Sequence, residues 1–362
     1  MADRDWTRRR FVQAGTAATA GLAVGLGGNF VARAEDQAAI RKTRSYNPDM
    51  EYRRLGSTGL WVSAVCLGGH FKRIGELVGH RIGAYAPPSK DQAAMAALRK
   101  NRHEVLTRCM EVGINYVDAC TWGEGAIYGP ALKGRRDKMH LGFSQAPEYC
   151  PRKKEYRTAD VLVKALEDNL KLAQVEYFDI WRLTASVSGR HTKAEEEQFV
   201  EALEKAKRQG KARFGGVSSH SRTWLKRLAE TYPKHFQVML TPYTAKTREM
   251  PKDSLFETVR KHDIGTFGIK PFGSNSLFHG ARTAKEKSHR ARMTIRYILG
   301  NPALTAPIPG LACVEEVDNM ALAVKEVRKL SRAEADELKQ VSDHMWATLP
   351  ARYAWLRDWE CV

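Results

Sequence analysis

Cysteine is sparse: six residues in 362, with no C-x-x-C pair and no spacing of the kind that holds a metal. A zinc module or thiol–disulfide motif therefore has no basis here. No G-x-G-x-x-G stands between a strand pattern and a helix pattern, which argues against a Rossmann domain. No apolar run reaches the length of a strong transmembrane span. Acidic residues are outnumbered, 41 against 59 basic, for a formal net charge of +18. The basic residues are dispersed through amphipathic segments such as KALEDNLKLAQ and EALEKAKRQGKAR, without interleaved aromatics. They read as solvated helix faces rather than a nucleic-acid surface.

What is present suits a barrel. With 43% hydrophobic residues, 362 positions can bury one large core or two moderate ones. Short apolar runs at 62–67, 114–118, 138–143, 177–183, 214–218, 237–240, 266–269 and 304–308 predict strands. Amphipathic patterns at 103–112, 158–173, 193–208, 223–230, 253–262, 288–299 and 314–329 predict helices between them. This βα alternation predicts a parallel sheet, and eight strands without a second sheet favour a closed (β/α)8 barrel. Cys66 and Cys120 fall on these strands as small hydrophobes.

Two additions stand out. The segment 71–101, with Lys72, Arg73, His80, Arg81 and Tyr85, is far longer than an ordinary βα loop. Such a loop lies on the face where barrel active sites form, and it can cover the pocket, meet a second subunit or run as a passive excursion. A tail at 331–362 carries a helical pattern and an aromatic end, expected to pack outside the 51–330 barrel. At the other end, Thr7-Arg8-Arg9-Arg10-Phe11-Val12, a weakly apolar Ala/Gly run and Ala32-Arg33-Ala34 follow the order of a twin-arginine export signal. The expectation is a signal at 1–34, a linker at 35–50, and a periplasmic or otherwise exported mature chain with no stable membrane insertion.

The segment GINYVDACTWGEGAIYGPALKGRRDKMHLGFS, residues 113–144, resembles the strand–loop–helix–strand unit of the aldo-keto reductases. So do the opening YRRLGSTGLWVS from Tyr52, the GKARFGGVS strand from Gly210, Ile269-Lys270-Pro271-Phe272, and the closing Ile308-Pro309-Gly310. The resemblance covers Tyr52 to about Met320. It implies hydride transfer between NADP or NAD and a small carbonyl or sugar substrate. In the family an aspartate, tyrosine, lysine and histidine share the proton chemistry. The corresponding positions here are Asp118, Trp122, Ser144 and Thr184, so three of the four are exchanged. An indole cannot release its proton near neutral pH, and Ser144 carries no charge to tune a neighbour. Asp118 then needs an arginine, a histidine or water in place of the lysine.

For the cofactor, the resemblance points to Ser218, Ser219, Lys270, Gly310 and Asn319. Protic residues at predicted strand ends, His70, Cys120, Glu124, His220 and Tyr243, are candidates to replace the lost acid. His70 or His220 beside Asp118 is the first choice. Three functions stay open on these residues: an exported oxidoreductase with a rearranged acid, a silent barrel that binds a ligand or redox partner, and a lyase or isomerase using Asp118 with His70.

Overall fold

The computed structural model describes residues 34–362 except 70–71, 84, 86, 88–89, 186–188, 248–253, 352 and 355–362. The export signal at 1–34 thus lies outside the described residues, Ala34 apart, and so does His70.

The chain begins with α1 (Ala34–Arg41) and a hairpin of β1 (Tyr52–Arg54) and β2 (Trp61–Ser63), paired antiparallel. Gly56, at φ +49°, turns the hairpin against the backbone at Ile264 and Gly265, where an added Cβ would meet the Gly265 nitrogen at 2.2 Å. Only a glycine fits that approach. Leu55, Leu60 and Val62 are thereby buried in one cluster with Tyr116, Ile180, Val238 and Phe267, closing the barrel floor.

Seven parallel strands follow in sheet order: β3 (Tyr116–Thr121), β4 (His140–Ala146), β5 (Phe178–Thr184), β6 (Ala212–Ser218), β7 (Val238–Pro242), β8 (Gly265–Ile269) and β9 (Ala306–Ile308). The eighth place is taken by the residues after β2, which bridge Leu67 to Val117 and Gly68 to Gly310. Leu67 N–H donates to the Tyr116 carbonyl at 2.9 Å, and Cys66 N–H to that of Pro307 at 3.1 Å. The result is a closed (β/α)8 barrel, as expected. The first barrel strand is displaced from the predicted 62–67, because the start of that run is spent on the hairpin. Asn115 holds this corner, accepting from Ser63 N–H at 2.8 Å.

The helices are α2 (Lys72–Val78), α3 (Gln92–Glu111), α4 (Trp122–Ala131), α5 (Ala159–Ala173), α6 (Lys193–Arg208), α7 (Arg222–Thr231), α8 (Leu255–Lys261), α9 (Ala284–Leu299), α10 (Val314–Lys325) and α11 (Arg332–Ala347). Side-chain alternation divides the barrel into two layers. Val117, Ala119, Phe143, Trp181 and Leu183 face the helices. Tyr116, Ile180 and Phe267 fill the interior.

Two expectations change. The helix predicted from 103 starts at Gln92, where Asp91 caps it by accepting from Ala94 N–H at 2.9 Å. Segment 71–101 is therefore largely two helices rather than open loop. The stretch 35–50, read as a linker, carries α1 and packs on the barrel base: Thr43 donates to the Trp61 carbonyl at 2.7 Å and Arg44 to Asp179 at 3.1 Å. No helix among the described residues is long and apolar enough to cross a membrane.

Asp179, at the start of β5, is fully buried and receives Arg44, Arg136 at 2.7 Å and Arg213 at 2.8 Å. Despite burial, Arg136, Arg44 and His140 hold its carboxyl well below the usual range. His140 beside it is lowered to about 4, by burial first; Asp179 opposes the shift, and Arg44 and Arg213 add to it. Unfolding therefore takes up a proton that the fold does not hold between about pH 6.5 and 4. Stability should fall as pH is lowered through that window, by up to about 1.4 kcal/mol per pH unit from this residue. Urea melts of wild type and His140→Asn across pH 7 to 4 would show it. An identical pH slope in the variant would rule the assignment out.

Candidate active site

The carboxyl ends of the strands open into a cavity of about 720 Å³, within the range of small-molecule sites. Its walls include Asp118, Cys120, Arg152, Arg182, Thr184, Ser218, His220, Lys270 and Gly310. Tyr85 reaches it from the 71–101 segment and Tyr353 from the tail.

The centre of the site is an ion pair. Asp118 and Arg182, inward residues of β3 and β5, are joined by two hydrogen bonds of 3.1 and 2.5 Å. Their side chains are only 5% and 2% exposed, so the pair is screened little by water. Burial lowers the Arg182 pKa, but Asp118 outweighs it and the net shift is upward. Between these strands β4 must stay thin. A Cβ at Gly142 would meet the Tyr116 hydroxyl at 1.9 Å and the Asp118 carboxylate at 3.2 Å.

Ser144 lies deeper, fully buried and outside the cavity lining. Its hydroxyl donates to the Cys120 carbonyl at 2.8 Å, which makes Thr184 the donor in the 2.7 Å contact between the two hydroxyls. The serine and threonine thus hold each other across β4 and β5, and only Thr184 faces the cavity. Trp122 opens α4, half-buried and also outside the lining. That helix starts at a capping box. Thr121 accepts from Glu124 N–H at 3.1 Å, while the Glu124 carboxylate accepts from Thr121 N–H at 3.3 Å and also from Cys120 N–H at 2.6 Å. The Thr121 hydroxyl also donates to the Tyr85 carbonyl at 3.1 Å, pinning the loop tyrosine beside the helix start.

Of the cofactor candidates, Ser218, Lys270 and Gly310 line the cavity. Ser219 is buried behind it, accepting from Ser221 N–H at 3.1 Å. Asn319 ties α10 to α9, accepting from Arg292 at 2.8 Å and donating to the Ser288 carbonyl at 3.1 Å. Of the proposed substitute acids, Cys120 and His220 face the cavity; Glu124 is committed to its cap. Tyr243 packs against Phe256 and accepts from Asn301 at 3.1 Å. Among the described residues no His/Cys/Asp/Glu group is arranged to hold a metal.

Electrostatics inside the cavity favour anions. Burial lowers the His220 pKa to about 3, with Lys270 and Arg152 adding to the shift. Burial lowers that of Lys270 as well, and raises that of the Cys120 thiol. After β8 the backbone forms an arch in which Lys270, Gly273, Ser274 and Asn275 have positive φ of 57°, 51°, 56° and 73°. Gly273 N–H closes the arch by donating to the Lys270 carbonyl at 2.9 Å, and Lys270, Ser274 and Asn275 line the cavity. Holding the three non-glycine residues there costs roughly 1–3 kcal/mol each, strain typical of binding sites.

Arg182, Arg152 and the arch beyond Lys270 were not singled out from the sequence, and Tyr85 was named only within the 71–101 segment placed to cover the pocket. Arg182 had a usable signal, being a charge inside the apolar parallel strand FDIWRLT.

The aldo/keto reductase family model matches residues 83–293, more than half of the chain. The chain is 23% identical to L-galactose dehydrogenase of Arabidopsis thaliana over 78% of its own length and 90% of the plant protein's. It is 24% identical to the uncharacterized oxidoreductase YrpG of Bacillus subtilis, over 84% of this chain and all of that one. Its fold matches that of the aldo-keto reductase AKR11C1 from Bacillus halodurans in its holo form, with TM-score 0.60, 19% identity, and 81% and 96% coverage of the two chains. An aldo-keto reductase from Klebsiella pneumoniae, solved in complex with NADPH, matches with TM-score 0.59, 21% identity, and 81% and 95% coverage. Together with the closed barrel and the cavity at its carboxyl rim, the match establishes that this chain belongs to the aldo/keto reductase family of oxidoreductases.

Proposed function

We propose that the chain is an exported NAD(P)-dependent oxidoreductase that reduces a small carbonyl compound with a rebuilt proton-delivery site. The observation that carries this reading is the buried Asp118–Arg182 pair at the centre of the strand-end cavity. The family's acidic anchor is kept, and an arginine from β5 takes over the cation that Ser144 cannot supply. Trp122 and Thr184 complete the altered set.

The cavity suits a dinucleotide. Lys270, Ser274 and Asn275 of the 270–275 arch line it, and Lys270 adds a positive charge for a pyrophosphate. Ser218 lies on the wall at the end of β6. A bound nicotinamide supplies the hydride. The residues of this chain serve the oxygen. With its pKa near 3, His220 is a neutral imidazole at working pH, able to polarise a carbonyl by N–H donation. Tyr85 is the phenol that delivers the proton as the carbonyl carbon gains its C–H bond, and solvent then reprotonates it. Thr7-Arg8-Arg9-Arg10-Phe11-Val12 and Ala32-Arg33-Ala34 support export by the twin-arginine machinery. A mature chain would then start near Glu35, just inside α1, with the barrel over 51–330 and the tail over 331–362.

Titrating the mature protein with NADPH and NADH, and following nicotinamide fluorescence, tests the reading. Saturable binding of at least one, and its oxidation with a member of an aldehyde and sugar panel, is expected. No binding at millimolar cofactor would sink it, and binding without turnover would favour a silent ligand-binding barrel.

A further inference from the structure

We infer that the substrate carries a carboxylate, held by Arg152 on the wall of the cavity opposite the 270–275 arch. The inference rests on the hydride-transfer reading and names the substrate class of that site. The cavity is lined by Arg73, Arg102, Arg152, Arg182 and Lys270 against a single acid, Asp118. Most of these cations are committed. Arg182 is spent on Asp118. Arg73 pairs with Glu316 at the start of α10. Arg102 donates to the carbonyls of Leu311 and Ala312, both at 2.8 Å. Lys270 belongs to the arch, where a dinucleotide's phosphates fit. Arg152 is different. Its Nε–H donates to the Ala185 carbonyl at 3.1 Å, which orients the guanidinium. Among the described residues its two terminal amino groups make no hydrogen bond, and no carboxylate pairs with it.

Topology assigns that arginine to the substrate. Arg152 follows β4 and is anchored just past the end of β5, whereas the arch and Gly310 follow β8 and β9. In the closed strand order these are opposite sides of the barrel, so phosphates on the arch leave Arg152, an exposed side chain, without an anion to pair with. Its field reaches into the cavity, adding to the downward shifts of His220 and Lys270. One uncommitted guanidinium matches one monoanion, and its planar fork suits the two oxygens of a carboxylate. A phosphate dianion would need a second cation on this wall.

Calorimetry with matched probes reads the site without turnover: D-gluconate against D-sorbitol, and 4-hydroxybutanoate against 1-butanol, on wild type, Arg152→Gln and Arg152→Lys. The acid should bind about tenfold or more tightly than its neutral partner in at least one pair, as expected for a charged hydrogen-bond pair. Arg152→Gln should abolish the preference while leaving NADPH binding unchanged, and Arg152→Lys should keep part of it. Acid binding should also raise the His220 pKa, visible by NMR. No preference in either pair, a preference that survives Arg152→Gln, or tighter binding of D-sorbitol 6-phosphate than of D-gluconate would overturn the inference. Failure of NADPH to bind would instead remove the hydride-transfer reading, since the acid and neutral probes are compared without it.

Discussion

Arg182→Met should destabilise the fold by about 3–5 kcal/mol, because it leaves the Asp118 carboxylate buried without its counter-ion. Both side chains are almost wholly buried, and Asp118 takes its two arginine hydrogen bonds from this one residue. Little solvent is at hand to replace them. The Met side chain fills much of the vacated volume, so the loss is mainly electrostatic. That can be separated from a packing defect: the double variant Asp118→Leu/Arg182→Met removes both charges and should recover most of the stability. Urea unfolding of the three proteins with unchanged m-values is the measurement. A single variant within 1 kcal/mol of wild type would mean that water enters the site, and the pair could not then stand in for the family's aspartate and lysine.

How far the sequence revealed this molecule depended on where the causes were local. Helix α6 runs over Lys193–Arg208, the span read from the sequence, and its start carries its own signal, the Thr192/Glu195 capping box. The βα alternation predicted the barrel because buried parallel strands give apolar runs and their covering helices give amphipathic ones. Helix α3 was cut short for the opposite reason. Its first turns, QAAMAALRKN, mix small apolar and basic residues with little facial contrast, so only the Asp91 cap marked the true start. The first barrel strand was misplaced because hairpin and strand share one apolar run, and the break between them depends on the distant side chain of Asn115.

The site divides in the same way. Asp118, Thr184, Ser218, Lys270 and Gly310 were legible as motif positions, and the structure brings them to one cavity. Reading Ser144 at the position of the family's lysine implied a substitute cation for Asp118. Choosing Arg182 required knowing that β3 and β5 point these two side chains across Gly142. The arch was hidden because Ser274 and Asn275 are ordinary residues in an uncommon backbone conformation. Arg152 lies in a polar loop among other exposed charges, and only its anchor on Ala185 sets it apart.

The sequence placed Tyr85 in a segment able to cover the pocket but gave it no role: Thr121 donates to its main-chain carbonyl, 36 residues upstream, and that contact requires no particular side chain. Yet it brings a phenol to the cavity wall beside the start of α4, close in the chain to the position that Trp122 occupies in the family pattern. If Tyr85 delivers the proton, Tyr85→Phe should lower kcat by about 10²–10⁴-fold, the usual loss for a positioned acid. Cofactor affinity should not change, because the arch and Lys270 are untouched, and folding stability should stay close to wild type for a side chain about half exposed. The comparison His220→Gln keeps an N–H donor and should cost less than Tyr85→Phe. Single-turnover rates with bound NADPH separate the chemical step from product release. A Tyr85→Phe enzyme within threefold of wild type in that step would exclude the phenol. The proton would then have to come from His220 or from water, and the pH profile of the variant would show which: a rate that climbs as pH falls toward 3 marks the imidazolium, and a flat profile marks water.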